Sequence, residues 1–348
     1  MDNQLNQFLS KVESKKIPLW THLDLTYRCN ASCIHCYCQD LSDEWTEPEL
    51  TTSEVFDLLE QLSEIGSLYL TLSGGEVLLR PDFFQIADYA RHLHFALTIF
   101  SNGLLIDKEK ADRLSELSPL SIEISIYGAE ASLHDTITRR AGSFKQVIEA
   151  VRLLKERSLR VVLKTTLMKP NFHQADMIEE LSNKLGADDY RFSLEISPKN
   201  DGNKSVQQYQ LDVCQLKEFV SRRLAKEPIS ETSYQEATKK PLCGAGTIGC
   251  YISPRGDIYP CAQLLRPMGN IKTQPFHKIW YGDSEIRREL ALLSTYADLR
   301  ECRNCSYVKT CRRCNGMAEL ETGNLKRCYP TLKHLSRIHY ETLRDIKY

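Results

Sequence analysis

The chain has 348 residues, of which 42% are hydrophobic and 26% charged, and its formal net charge at pH 7 is -1. This length and composition are those of an ordinary soluble protein with one large domain and a smaller one. The balance of basic and acidic residues gives no basic footprint for nucleic acid, and no apolar stretch reaches the roughly 20 residues of a membrane-spanning helix.

The N-terminus lacks the apolar core of a secretory signal, so we expect a cytoplasmic protein. The sequence contains 13 cysteines. In a large cytosolic chain, many cysteines indicate metal or cluster binding rather than disulfides.

Between residues 20 and 200, short β-branched runs alternate with longer helical patterns. We predict strands at 23–27, 67–72, 96–100, 121–126, 161–168 and 190–196. We predict helices at 52–65, 81–94, 108–118, 143–157 and 171–185. This alternation predicts an α/β fold with a parallel sheet, and a longer series of this kind closes toward a TIM-type barrel whose site lies at the C-terminal ends of the strands.

The pattern changes after Pro198. A polar turn, a helix at about 212–225 and a polar connector precede a region that holds eight of the 13 cysteines. We therefore predict an N-terminal extension (1–20), the barrel (21–200), a linker with a helix (201–242), a small cysteine-rich domain (243–330) and a C-terminal helix (331–348).

Three cysteines, Cys29, Cys33 and Cys36, follow the first predicted strand. Their thiolates can hold three irons of a four-iron cluster and leave the fourth iron open to another ligand. A zinc site is the alternative, because Cys38 or His35 could complete a set of four ligands.

A second motif, Gly74-Gly75-Glu76, follows the second predicted strand. Glycines let backbone groups approach a ligand closely, and the carboxylate could accept a hydrogen bond from an ammonium group. A plain strand-to-helix turn is the alternative, but the position beside the cysteine triplet favours a ligand site.

The two motifs together resemble those of the radical S-adenosylmethionine (SAM) superfamily, whose fold is a partial barrel of six βα units. The resemblance implies a [4Fe-4S] cluster on the three cysteines that binds SAM through its open iron. It implies reductive cleavage of SAM to a 5′-deoxyadenosyl radical, which then abstracts a hydrogen atom from the substrate.

The resemblance also implies which residues bind SAM. Gly74, Gly75 and Glu76 would hold the methionine ammonium, and His35 would lie beside the adenine. Ser125 is a candidate for the ribose, and Arg139 for the carboxylate by a charge-assisted pair. A generic strand serine and a surface arginine are the alternatives, and Arg140 competes with Arg139.

The eight later cysteines are enough for two four-cysteine clusters, although two structural zinc sites would use similar pairs. Their pattern, with Gly256-x4-Cys261 inside a predicted hairpin at 249–261, resembles the SPASM extension. The resemblance implies two auxiliary Fe–S clusters of the [4Fe-4S] type, the first on Cys243, Cys250, Cys261 and Cys314 and the second on Cys302, Cys305, Cys311 and Cys328. This chain has two residues before Cys314 where the common form has three. Cys38 and Cys214 fall outside both patterns, and we predict that Cys214 is a buried helical thiol.

SPASM enzymes mostly modify peptides, and a smaller group acts on tetrapyrrole carboxylates. In sulfatase-maturing members, an aspartate that acts as a base follows the cysteine of the Gly-x4-Cys element. This chain has Ala262 at that position, which argues against sulfatase maturation. We expect an enzyme that modifies a ribosomally made peptide, with flavodoxin or ferredoxin as reductant and the peptide binding directly or through a separate recognition protein. A radical SAM enzyme for tetrapyrroles or other small molecules is one alternative, and a non-catalytic Fe–S or zinc protein is another.

Three charged residues on predicted strands, Glu123, Lys164 and Glu195, are candidates for substrate contact or proton handling. They alternate with apolar residues, so they could face the barrel interior. Solvent-facing or salt-bridged positions are the alternative.

Overall fold

A computed structural model describes residues 2–38, 48–200, 202–226 and 233–346 of the chain. Its first six strands pair in parallel, each with the next along the chain. They are β1 (Trp20–Thr26), β2 (Tyr69–Gly74), β3 (Ala96–Ser101), β4 (Ser121–Ser125), β5 (Val161–Thr166) and β6 (Asp189–Ser193). The parallel sheet predicted from the alternating pattern is confirmed.

Three further strands extend the sheet beyond β1. They are β7 (Gly249–Ile252), β8 (Asp257–Tyr259) and β9 (Gly269–Asn270). β7 pairs in parallel with β1 and in antiparallel with β8, which forms the predicted hairpin. Within the described residues, the strand order is β6-β5-β4-β3-β2-β1-β7-β8-β9, so the sheet stays open and β6 is a terminal strand.

Helices connect the strands and follow the sheet. They are α1 (Asp2–Lys15), α2 (Thr52–Glu64), α3 (Phe83–His92), α4 (Lys108–Glu116), α5 (Ala131–Thr138), α6 (Ser143–Glu156), α7 (Ala175–Lys184), α8 (Val213–Lys226), α9 (Tyr234–Lys239), α10 (Phe276–Tyr281), α11 (Glu285–Ala291), α12 (Asn315–Thr322) and α13 (Pro330–Ile346). No described helix is both long and apolar enough to cross a membrane.

The core lies between the sheet and the helices. α2 begins with a capping box of Thr51 and Glu54 and buries Leu58 and Leu62 completely. Alternate strand residues, such as Leu23 on β1, belong to the same apolar cluster. Because successive strand side chains point to opposite faces, His22 and Asp24 of β1, which flank Leu23, face the other side of the sheet.

Among the described residues, six helices were not predicted: α1, α5, α9, α10, α11 and α12. The structure also corrects Cys214, which is exposed. α8 buries Leu216, Phe219 and Val220, and the helical repeat puts Cys214 on the opposite face from them. Residues 227–232 of the predicted connector and residues 347–348 of the predicted C-terminal segment lie outside the described residues.

Candidate functional site

The cysteine triplet lies in the loop that follows β1, at the C-terminal edge of the parallel sheet. Cys29 is exposed, and Cys33 and Cys36 are half-buried. Burial raises the pKa of the Cys33 thiol, and the neighbouring thiolates of Cys36 and Cys29 raise it further. The three thiols of the loop therefore interact electrostatically with one another.

The end of α5 anchors this loop. The backbone N–H groups of Ser32 and Ile34 donate to the carbonyl groups of Thr138 (3.1 Å) and Ile137 (3.0 Å). The Arg140 side chain donates to the Asn30 carbonyl at 2.5 Å. The unpredicted helix α5 therefore fixes the position of the cysteines.

The Gly-Gly-Glu segment packs directly against the start of the cysteine loop. The N–H groups of Gly75 and Glu76 donate to the carbonyls of Thr26 (2.8 Å) and Arg28 (2.9 Å). A Cβ atom would lie 2.2 Å from the Thr26 oxygen at position 74 and 2.3 Å from the Arg28 oxygen at position 75. Gly74 also has a φ of +134°. Only glycines allow this contact, so the motif joins the ends of β1 and β2.

The Glu76 carboxylate is 1% exposed. It accepts hydrogen bonds from the Ser101 hydroxyl (2.9 Å) and from the N–H groups of Asn102 (2.8 Å) and Leu78 (3.2 Å). Burial raises its pKa and these donors lower it. A carboxylate has about four acceptor positions, so Glu76 ties β2 to β3 and keeps room for one more donor.

His35 lies next to the triplet with its ring edge against Tyr127, at a centroid distance of 4.6 Å. Burial lowers its pKa to about 4, so the ring is neutral at pH 7. Its Nδ1 is buried and has no hydrogen-bond partner among the described residues. A buried polar atom without a partner is costly, and it marks a position where a ligand group can bind.

The other two SAM candidates lie at the same edge of the sheet. Ser125 ends β4, and its side chain hydrogen-bonds with Tyr127. Arg139 caps α5 with a left-handed φ of 52° and is exposed. It lines a cavity of about 240 Å³ together with Ile34 and Lys199. Arg140, by contrast, is engaged with the cysteine loop.

Two of the charged strand candidates form one cluster. Glu123 is 7% exposed and pairs with Lys164 (2.9 Å) and Arg191 (3.2 Å). The Lys164 ammonium also lies 3.8 Å from the centroid of the Phe100 ring. The third candidate, Glu195, lies after β6 and accepts from the Tyr329 hydroxyl at 3.3 Å.

A further polar cluster inside the sheet was missed in the sequence. Asp24 is fully buried and accepts hydrogen bonds from the Tyr251 hydroxyl (2.9 Å) and from His22 Nε2 (3.0 Å). The Tyr251 hydroxyl is also 3.2 Å from that of Tyr27. The sequence signal for this cluster was a polar residue at every second position, His22, Asp24 and Thr26. The predicted strand began at residue 23 and therefore left out His22.

The cysteines predicted for the second auxiliary cluster line a single cavity. Cys302, Cys305, Cys311 and Cys328 all border it. Burial raises the pKa of Cys302 to about 12; the Arg313 guanidinium lowers it, and the other three thiolates raise it. Four thiols that converge on one space match the ligand set of a four-iron cluster.

Of the cysteines predicted for the first auxiliary cluster, three lie together. Burial raises the pKa of Cys261 to about 12, and the thiolates of Cys314 and Cys243 raise it as well. The Cys314 thiol donates to Gln263 Oε1 at 3.1 Å, and the Asn315 amide donates to the Cys243 sulfur at 3.7 Å.

The fourth, Cys250, lies elsewhere. It is buried on β7 as part of the main apolar core, and its sulfur is 3.6 Å from the Thr21 hydroxyl of β1.

A cavity of about 340 Å³ lies between the cysteine loop and the hairpin. On one side it is lined by Tyr37 and the segment 197–200, which follows β6, and on the other by Cys261, Ala262 and Gln263. Tyr37 directly follows Cys36 in the sequence, so the cavity lies at the end of the cysteine loop and has Cys261 in its lining.

All 13 cysteines are free thiols. In the described parts of the chain, no three His, Cys, Asp or Glu side chains are arranged around a single metal ion. An Fe–S cluster spreads its thiolate ligands over several irons, so the grouped thiols and the unpartnered His35 nitrogen suit a cluster with an organic ligand beside it.

Comparison with known proteins agrees with this site. Residues 23–183 match the family model of the radical SAM superfamily, and residues 243–315 match that of the SPASM iron–sulfur cluster-binding domain. The AdoMet-dependent heme synthase of Methanosarcina barkeri is 30% identical over 329 residues, which cover 86% of this chain and 92% of that protein. The mycofactocin maturase MftC of Mycobacterium tuberculosis is 28% identical over 318 residues, which cover 85% of this chain and 77% of that protein.

Among solved structures, Streptococcus suis SuiB bound to S-adenosylmethionine superposes with a TM-score of 0.71 at 17% identity, covering 95% of this chain and 81% of that one. That likeness extends to the open parallel sheet and the cysteine-rich C-terminal region. The chain therefore belongs to the radical SAM superfamily and carries a SPASM iron–sulfur domain.

Proposed function

We propose that this chain is a radical SAM enzyme that modifies a ribosomally made peptide. The observation that carries the proposal is the free edge of β6. Among the described residues, β6 pairs only with β5, and both Arg191 and Ser193 on it are exposed. An unpaired strand edge binds extended peptides by adding a strand.

A peptide strand on β6 would lie beside the barrel interior. Arg191 on β6 contacts Glu123, and Glu123 contacts Lys164, so this edge continues into a charged cluster. The segment 197–200, which follows β6, lines the cavity of about 340 Å³. A side chain of the bound peptide could thus enter from the edge toward the cysteine loop.

Two relatives are consistent with a peptide substrate. MftC, at 28% identity, is a maturase by name. SuiB has been solved with the precursor peptide SuiA at a TM-score of 0.69, so the fold that it shares with this chain accommodates a peptide.

In this proposal, Cys29, Cys33 and Cys36 hold the [4Fe-4S] cluster to which SAM binds. When both are bound, the cluster and SAM would supply the radical chemistry, which is reductive cleavage of SAM to the 5′-deoxyadenosyl radical with flavodoxin or ferredoxin as the electron donor. The Gly74 and Gly75 backbone and the fourth acceptor position of Glu76 receive the methionine ammonium. His35 Nδ1 accepts a hydrogen bond from the nucleoside part, and Ser125 and Arg139 contact the ribose and the carboxylate.

The inside of the sheet serves positioning and proton handling. The paired cations Lys164 and Arg191 orient polar groups of the substrate, while Glu123 holds both in place. Glu195, whose pKa burial raises and the Tyr329 hydrogen bond lowers, is the candidate for proton transfer. We further propose two auxiliary [4Fe-4S] clusters in the SPASM domain and delivery of the peptide by a separate recognition protein.

The test is anaerobic incubation of the reconstituted enzyme with SAM, reductant and the precursor peptide encoded beside its gene. We expect 5′-deoxyadenosine and a mass change in the peptide. A Cys36→Ala variant is the control that should yield neither product. An unchanged peptide despite 5′-deoxyadenosine formation would contradict the peptide proposal.

The strand-addition step has its own test. N-methylation of one peptide amide that pairs with β6 removes one backbone hydrogen bond, worth about 1 kcal/mol. We expect KM to rise about fivefold, since 1.4 kcal/mol corresponds to a factor of ten. Methylation at the next residue, whose amide points away from β6, should leave KM unchanged. Equal effects at both positions would exclude pairing with this edge.

A second candidate function is favoured by the relative named AdoMet-dependent heme synthase, at 30% identity. In this case Lys164 and Arg191 would bind carboxylate side chains of a tetrapyrrole. Absorption titration with a propionate-bearing tetrapyrrole distinguishes the two functions. Saturable binding that is lost in Lys164→Met would favour the tetrapyrrole. A non-catalytic Fe–S protein would form no 5′-deoxyadenosine with any substrate.

A further inference from the structure

The segment that carries the second group of SPASM cysteines is strongly basic. Residues 300–337 contain nine Lys and Arg residues but only three Asp and Glu residues, which gives a net charge of +6. The whole chain has a net charge of -1, so the remaining residues together carry -7. Such an uneven distribution produces a positive potential over one part of the surface, and it indicates an acidic partner.

Four exposed cations of this segment flank the cysteine cavity. Three of them are sequence neighbours of different predicted ligands, namely Cys302, Cys311 and Cys328, and the fourth lies on α13 and lines the cavity itself. Because these neighbours converge on one cavity, the four charges lie around the second auxiliary site. We call them the basic rim, and they are Arg303, Arg312, Arg327 and Lys333.

Nearby carboxylates do not neutralise the basic rim. On the barrel helices, exposed cations are paired, as Arg113 is with Asp88 (3.3 Å) and Arg152 with Glu149 (2.5 Å). Within the described ranges, no side chain of the rim forms such an ion pair. The rim therefore keeps its positive charge available to another molecule.

The second auxiliary site lies just below this surface. Cys305, Cys311 and Cys328 are half-buried. Glu301 and Lys333 line the cavity and are themselves exposed, so their side chains reach from the cavity to solvent and leave a single layer of protein over it. The carboxylate of Glu301 accepts a hydrogen bond from the Cys328 N–H at 3.0 Å. A cofactor in a docked protein can thus come close to a cluster in this cavity.

We propose that the basic rim is the docking surface for a small acidic electron-carrier protein of the flavodoxin or ferredoxin type. The carrier exchanges single electrons with the second auxiliary cluster. A reduced cluster gives one electron to an oxidised flavodoxin, whose flavin becomes the semiquinone, and the reverse transfer reduces the cluster. The positive rim speeds the encounter with an acidic surface and orients it.

An electron carrier fits this surface better than a peptide or a nucleic acid, because the rim is centred on a redox site and not on the cavity of about 340 Å³. The inference rests on the two auxiliary clusters and the electron carrier proposed above. It does not depend on which substrate is modified.

The first test measures the Kd of the anaerobically reconstituted chain for an acidic flavodoxin at low and high KCl. We expect the wild-type affinity to fall with salt. Reversal of three rim charges should raise Kd at least about tenfold at low salt, since three exposed charge pairs are lost. The variant combines Arg312→Glu, Arg327→Glu and Lys333→Glu.

A matched control reverses three exposed cations on the barrel helices, so that the net charge changes equally. It combines Lys108→Glu, Lys145→Glu and Lys184→Glu, and its Kd should stay within about twofold of the wild type. An unchanged Kd in the rim variant, or equal weakening in both variants, would overturn the proposal.

Iron content shows whether the rim variant keeps its clusters, with about twelve atoms expected per chain. If it loses iron, the milder triple substitution of the same residues by Gln decides, and we expect its Kd to rise about threefold. RNA or anionic lipid vesicles that bind the rim more tightly than flavodoxin at physiological salt would assign this surface to another partner and refute the electron carrier.

The second test follows the electron itself. The Cys36→Ala chain, which lacks the SAM-binding cluster, is reduced with dithionite, freed of excess reductant and mixed with oxidised flavodoxin. We expect the flavin semiquinone to form, and to form at least about tenfold more slowly at low salt when the three rim charges are also reversed. Adding Cys305→Ala, which removes a ligand of the second auxiliary cluster, should abolish most of the transfer.

Two outcomes separate this inference from the proposals beneath it. Semiquinone formation that is equally fast after Cys305→Ala would show that the carrier docks elsewhere, and the inference would be wrong. Fewer than about eight iron atoms in the Cys36→Ala chain would instead refute the two auxiliary clusters.

Discussion

Replacement of Gly75 by alanine tests how the two motifs are joined. The new Cβ atom would lie 2.3 Å from the Arg28 oxygen and 2.7 Å from the Tyr27 oxygen. Ordinary C···O contacts are about 3.3 Å or longer, so the backbones must separate by about 1 Å. This movement breaks the hydrogen bonds from Gly75 to Thr26 and from Glu76 to Arg28.

Each of these hydrogen bonds contributes about 1 kcal/mol, and the forced backbone shift costs a further 1–3 kcal/mol or so. We therefore expect Gly75→Ala to lower the free energy of unfolding by about 3–5 kcal/mol. Because Arg28 precedes Cys29, the cysteine loop shifts with it. A displacement of about 1 Å near reacting groups typically costs about a hundredfold in rate, and we expect 5′-deoxyadenosine formation to fall by that factor.

The assays are anaerobic urea denaturation and the rate of 5′-deoxyadenosine formation. Gly249→Ala is the matched control, since its Cβ would lie 3.5 Å from the nearest atom, the Trp20 oxygen. We expect this control to change stability by less than about 1 kcal/mol. If both variants unfold at the same urea concentration and cleave SAM equally fast, the steric argument is refuted.

Three further substitutions test buried polar groups by denaturation. Burial lowers the pKa of His134, which is 1% exposed, to about 4. Below the pKa of about 6.5 that this histidine has in the unfolded chain, only the unfolded chain binds the extra proton. As the pH falls below 6.5, the free energy of unfolding should therefore fall by up to about 1.4 kcal/mol per pH unit in the wild type but not in His134→Gln. Arg313→Met removes the donor of three oxygen atoms, those of the Asn315 side chain and of the Leu325 and Arg327 carbonyls. We expect it to lower the free energy of unfolding by about 3 kcal/mol and to lose iron from the second auxiliary cluster. Asp24→Asn leaves either Tyr251 or His22 without an acceptor and should cost about 1–3 kcal/mol.

Each of these has an outcome that contradicts it. Parallel stability curves of the wild type and His134→Gln between pH 6.5 and pH 5 would show that the histidine does not titrate on unfolding. Full iron content in Arg313→Met would separate this guanidinium from the cluster. An Asp24→Asn variant as stable as the wild type would show that water replaces the lost acceptor.

The repeating parts of the fold could be predicted from the sequence. Six parallel strands and the helices between them follow from apolar periodicity, which burial enforces. α5 was missed because Ala131–Thr138 has only a short apolar stripe, and its stability comes from packing and from the contacts of its end with the cysteine loop.

Within the candidate site, motifs located the cysteine loop and the Gly-Gly-Glu segment but not their contacts. That Glu123 and Lys164 neutralise each other depends on the register of β4 with β5, which spacing along the chain does not encode. The position of Cys250 likewise depends on the pairing of β7 with β1, a contact between segments that are far apart in the sequence.

The pairing of β7 with β1 also orders events during synthesis. β1 leaves the ribosome early, but its outer edge finds its partner only after Ile252 has been made. At about 5–20 residues per second, that edge stays unpaired for more than about ten seconds. Over this interval the unpaired edge of β1 is a site for aggregation or chaperone binding. The contact of Tyr251 with Asp24 on the inside of the sheet also forms only after β7 has emerged from the ribosome.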